Sequence, residues 1–125
     1  MNFPDFSPDK LKLYYQQINL VELTANQLIK DFEWSNLTVE FPENSENPYN
    51  DLSQQVVPLV DLMIQQNSHK LLNLLYKIDV NEHQFIKILD EFTGLKLAEE
   101  LTHLIIEREF KKVLIKEYFK KQQNP

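Results

Sequence analysis

Apolar residues recur at helical spacing along nearly the whole of this chain, and at strand spacing in one short stretch. Leu11, Tyr14, Tyr15, Ile18, Val21, Ala25, Leu28, Ile29 and Phe32 follow one another at steps of one, three or four. On a helix these positions fall in a single stripe about 24 residues long. Ser7-Pro8-Asp9, just ahead, supplies a hydroxyl for the N-cap, a proline at the first helical position and an acid in the first turn. A competing reading breaks the stripe at Asn19 and restarts it at Thr24, where Thr24-Ala25-Asn26-Gln27 imitates a capping box. The stripe stays in phase there, which predicts one helix from Pro8 to about Trp34. Residues 1–7 then form an N-terminal arm, with Phe3 and Phe6 placed to pack over the edge of the core. Trp34, the only tryptophan, would close the core at the helix end.

Leu37-Thr38-Val39-Glu40-Phe41 alternates apolar and polar with period two. A lone strand leaves its main-chain groups without partners. The expectation is an extended segment laid over the helices, with pairing to a second copy as the other option. Pro42 to Asn50 is polar and turn-forming, so residues 36–50 read as an extended linker. Leu52, Val56, Leu59, Val60, Met63 and Ile64 define a further helix, from about Asp51 to Gln66, interrupted by Pro58. A proline there predicts a kink, or a helix that begins only at Pro58. Ser68 would cap HKLLNLLYKI, a short helix so apolar that it needs cover on nearly every side. Asn81-Glu82-His83-Gln84 resembles a capping box for a helix that groups Phe85, Ile88, Leu89 and Phe92, with Ile86 beside them, and stops at Thr93-Gly94.

Lys96 to Gln122 contains neither Gly nor Pro and is rich in helix formers, with acids near its start and lysines near its end. Its apolar residues do not make one stripe. Leu97, Ala98, Leu101, Leu104 and Ile105 lie on one face, and Ile106, Phe110, Val113 and Leu114 on another. Such a helix is either the centre of the domain or partly covered by another chain. That makes Ile106, Phe110, Val113, Leu114 and Tyr118 the candidate protein interface. The fold class expected is all-α: a single-domain elongated helical bundle over residues 1–125, with about five helices, two long and three short.

Composition narrows the chemistry. At 125 residues the chain can bury a core without metal or disulfide support, and it has no cysteine to build either a disulfide or a thiolate site. No apolar run approaches the roughly 20 residues that span a bilayer. The first ten residues lack the basic-then-apolar order of a secretory signal, so the expected location is cytoplasmic. Charge is uneven: net −7 over residues 1–62, −3 over 63–107 and +4 over 108–125. An acidic body with a basic end suits a protein partner, or a second copy of itself, better than a phosphate backbone.

Three histidines offer the remaining chemistry. Glu100-Leu101-Thr102-His103 is a Glu-x-x-His pair, with Glu107 one turn further on, and on a helix the three share a face. Carboxylate-bridged dimetal bundles need a second such pair and two more glutamates on facing helices, and neither His69 nor His83 has a Glu three residues before it. Glu100, His103 and Glu107 are therefore metal candidates set against the plainer reading of a solvated face. Asp79, Glu82 and His83 cluster at a helix start, where acids ordinarily cap, and no nucleophile sits beside them. With one glycine, no Gly-rich phosphate loop can form. Arg108, Lys111, Lys112, Lys116, Lys120 and Lys121, with Tyr118 and Phe119 between them, could contact nucleic acid or a membrane surface, or could simply solvate a terminal helix.

HKLLNLLYKIDVNE and LTHLIIEREFKKVL resemble stretches of small all-helical bacterial proteins to which no activity is attached. The resemblance runs from Ser68 onward, over about half the chain; it implies a helical fold and transfers no site residues. The functional expectation is a non-enzymatic, cytoplasmic interaction or structural module, self-associating in one form of the reading. It has no catalytic residue, no cofactor and no evident small-molecule substrate. The alternatives are a metal protein or enzyme built on Glu100, His103 and Glu107, and a nucleic-acid accessory protein using the basic end.

Overall fold

A computed structural model describes residues 5–34 and 37–123. Among them are six helices: α1 (Pro8–Tyr15), α2 (Ile18–Phe32), α3 (Pro48–Gln66), α4 (Ser68–Ile78), α5 (Glu82–Glu91) and α6 (Gly94–Gln123). No strand occurs among the described residues. The chain is an all-α helical bundle, with six helices where five were expected.

The extra helix comes from a break in the first stripe, at neither Asn19 nor Thr24. Gln16 closes α1, its N–H donating to the Leu13 carbonyl and the Gln17 N–H to that of Tyr14, and Gln17 is extended (φ −89°, ψ 103°). A short break that nearly preserves the phase of an apolar stripe leaves no trace in its periodicity. What favours the break is tertiary: it brings Tyr15 against Tyr49 and Phe110, with ring centroids 4.3 and 4.8 Å away, and buries Leu11. Ile18, which the single-helix reading assigns to the core, is exposed instead. Only α6 is therefore long, about 45 Å at 1.5 Å per residue.

α6 is the centre of the molecule. It packs against α2, α3, α4 and α5, and Ala98, Leu101, Ile105, Ile106, Phe110 and Leu114 are all buried within one chain. Its several apolar faces are thus accounted for by its own neighbours. Gly94 does not end α5. It lies at φ +59°, the left-handed turn from which α6 departs, while α5 closes at extended Phe92. The buried cluster draws on α1, α2, α3, α4 and α6, whereas Phe85 and Ile88 of α5 reach it only partly buried.

α3 starts at Pro48, three residues earlier than expected, and so takes up the end of the predicted linker. Asn47 caps it by accepting from the Asn50 N–H. The helix continues through Pro58, which is exposed, so it does not begin there. α4 is capped by Asn67 rather than Ser68, which is its first residue, through a bond from the Lys70 N–H. Asn81 caps α5 as expected, accepting from the Gln84 N–H. α4 is less enclosed than its composition suggests: Leu71, Leu74, Leu75 and Ile78 are buried, but Tyr76 is 67% exposed.

The segment with strand spacing forms no strand and lies against the helices. Val39 and Phe41 pack on the core. The main chain of Glu40 is satisfied by one side chain: its N–H donates to Gln55 Oε1 at 2.9 Å, and the Gln55 amide donates back to its carbonyl at 2.7 Å. An amide from α3 thus does locally what a neighbouring strand would do. Phe6 packs over the edge of the core, 5.8 Å from the Lys111 ammonium; Phe3 lies outside the described residues. Trp34 sits against Phe32, centroids 4.8 Å apart, at the end of α2.

Candidate protein-binding surface

The residues nominated as an interface are core. Ile106 and Phe110 have no exposed surface, and Val113 and Leu114 are buried. They cannot dock a partner, because α2 and α3 already occupy the space around α6. Tyr118 is half-buried, its ring edge-on to Phe119 at 5.6 Å.

Glu100, His103 and Glu107 do share the face of α6 that spacing predicts, along a cleft of about 350 Å³ between α5 and α6. Each already has a protein partner. Glu100 meets Lys96 at 3.3 Å, Glu107 meets Lys111 at 3.0 Å, and His103 Nδ1 lies 2.9 Å from the Tyr49 hydroxyl. The Tyr49 and His103 rings are stacked, parallel within 4° with centroids 5.7 Å apart. Burial raises the Tyr49 hydroxyl well above the ordinary tyrosine value, with the neighbouring Tyr15 and Glu107 adding to it, so it bonds His103 as a neutral phenol. No group of three His, Asp or Glu side chains able to hold a metal occurs among the described residues.

The basic end is likewise partly spent inside the fold. Arg108 Nε donates to the Ile78 carbonyl at 2.9 Å, Lys111 pairs with Glu107, and Lys112 lies 3.7 Å from Asp31. Lys116, Lys120 and Lys121 are exposed. Arg108 and Lys112 thus tie α6 to α4 and α2, while Lys111 is paired within α6. At the helix start further back, Asp79 adopts the left-handed conformation that ends α4, and Glu82 and His83 are exposed.

The least covered apolar surface is on α5. Its ten residues include Phe85, Ile86, Ile88 and Leu89, yet none is fully buried, and Ile86 and Leu89 remain 48% and 47% exposed. Leu89 and Phe85 border an apolar groove of about 310 Å³, closed by Leu72 and Leu75 of α4 and by Leu97 and Leu101 of α6. Just beyond it, Leu95 is 60% exposed. The groove's lining holds no acid or lysine. Of the charges on α5, Lys87 and Glu91 pair with each other and line the cleft on the other side, which leaves Glu82 and Asp90 as the exposed acids of α5 outside that cleft.

One charged cluster went unnoticed at the level of sequence. Glu109 has no exposed surface and faces Asp31 of α2. Lys112 Nζ lies 3.7 Å from Asp31 and 3.9 Å from Glu109, too far for hydrogen bonds but close enough for charge. Asp31 Oδ1 accepts from the Gln27 amide at 3.0 Å. Burial, reinforced by the Asp31 carboxyl beside it, pushes Glu109 up to about 8, against the pull of Lys112. Burial acts to raise Asp31 as well, but the neighbouring Glu109 carboxyl and the Gln27 amide, with the charge of Lys112, hold it below the ordinary carboxylate value. The signal was present: Glu109 follows Ile105 by four residues and precedes Val113 by four, in step with buried positions.

No protein-family model, no curated protein and no solved structure shows significant similarity to this chain.

Proposed function

We propose that this protein works by binding another protein, with no chemistry of its own, through the face made by α4, α5 and the start of α6. The observation that carries the reading is α5, an apolar helix that buries none of its residues fully. Half-exposed Ile86 and Leu89 would each release on the order of 1 kcal/mol on being covered. A groove beside a partly covered helix suits an amphipathic helix from the partner. Exposed Glu82 and Asp90 on α5 bias its charge toward a segment whose apolar residues are flanked by lysine or arginine. The partnered state of Glu100, His103 and Glu107 gives the metal reading no comparable support.

Two synthetic amphipathic peptides with leucine at helical spacing test this, one flanked by lysines and one by glutamates. Calorimetry should show binding of the lysine peptide, weakened at least about tenfold by Leu89→Asp and by added salt, and much weaker binding of the glutamate peptide. Absence of binding by both, or indifference to Leu89→Asp, overturns the proposal. Light scattering at tens of micromolar covers the remaining occupant. A dimer that Leu89→Asp separates would make the partner a second copy and reject the basic segment.

A further inference from the structure

We propose that Asp31 and Glu109 hold a single proton between them inside the fold, and that its loss loosens α6 from α2, making this contact a proton-gated joint. Two carboxyl groups face each other, one from each helix, and the one cation among the described residues within 4 Å of either is Lys112. Two anions beside one cation, with Glu109 wholly removed from water, is a costly arrangement. Asp31 Oδ2 and both Glu109 oxygens receive no hydrogen bond from any other described side chain or main-chain group. One proton on Glu109 resolves both problems: it removes one negative charge and supplies an O–H donor to the Asp31 carboxylate. The other groups acting on the pair are Gln27 of α2, Lys77 of α4 and Arg108 of α6, and Arg108 is held by the Ile78 carbonyl.

When the proton passes to water, the Glu109 carboxylate is left opposite Asp31 with Lys112 shared between them. The sign of the pH dependence follows. Glu109 binds its proton more tightly in the fold than in the unfolded chain, so its contribution is complete below its ordinary 4.5 and is lost as pH rises toward about 8. Asp31 acts oppositely, contributing above its ordinary 3.8 and losing that contribution in stronger acid. As far as this pair decides it, the fold is tightest in mild acid.

The test uses the intact protein labelled with carbon-13 at glutamate carboxyls. One glutamate should titrate between about pH 6.5 and about pH 9, and the others near their ordinary value. Tm should fall from about pH 4.5 to about pH 8 and level off above, and amide protection in α2 and α6, corrected for base catalysis, should fall more than in α3. Glu109→Gln, a permanently neutral donor, should flatten the Tm profile. Asp31→Asn, whose amide can donate to a carboxylate, should move the late titration toward acid. Titration of every glutamate below about pH 6, a Tm decline retained in Glu109→Gln, or equal loss of protection in α3 each overturns the proposal. Should the variants fail to fold, the titration of the unmutated chain decides it.

Discussion

At the scale of single residues, the helix ends and one buried acid decide most. Glu33 closes α2 at φ 57°, a left-handed conformation that costs an L-residue about 1 kcal/mol more than glycine. The Glu33→Gly variant should therefore be more stable by roughly that amount in urea unfolding, with its m-value unchanged. Capping was readable from residue type where asparagine stood before a helix, as at Asn81. It misled at Ser68, because Asn67, one place earlier, competes for the same N–H groups. Glu109 shows the other limit. Its place on a buried face followed from spacing, but acids on that helix are numerous, and only the partner on α2 distinguishes this one.

At the scale of elements, periodicity marked the helical stretches but merged α1 and α2 into one, failing where tertiary contact chose between equal alternatives. The break at Gln17 keeps the apolar stripe nearly in phase, and what rewards it is Tyr15 meeting Tyr49, more than thirty positions away. Pro58 was ambiguous for a related reason: a proline costs a helix interior about 3 kcal/mol, and packing on α6 decides whether the helix survives it. Pro58→Ala should restore one backbone hydrogen bond. We expect a gain of about 2 kcal/mol, below the full interior cost because proline also narrows the unfolded ensemble. The segment over residues 37–41 depends on Gln55. Its replacement by alanine should leave Tm nearly unchanged, since the contact is exposed, while exchange of the Glu40 amide accelerates at least about tenfold. Nothing in the spacing of residues 37–41 could reveal that a side chain fifteen positions on would serve as their neighbour.

At the scale of the whole molecule, the many-faced α6 did announce its central place, and the choice between cover from within and cover from another chain did not follow from sequence. That choice depends on which faces of α2 and α3 turn inward, a property of all the elements together. Phe110, wholly enclosed and touching Tyr15, is the plainest probe: Phe110→Ala should lose about 3–5 kcal/mol and lower Tm without altering the mass in solution. The same centrality has a consequence for biosynthesis. Five helices leave the ribosome before the one they are arranged around, so Val21, Leu28, Val56 and Leu75 emerge with their common mate still untranslated. Vectorial synthesis therefore holds the nascent chain open and greasy until residues beyond Gly94 clear the exit tunnel, a window in which a holdase chaperone would find its substrate.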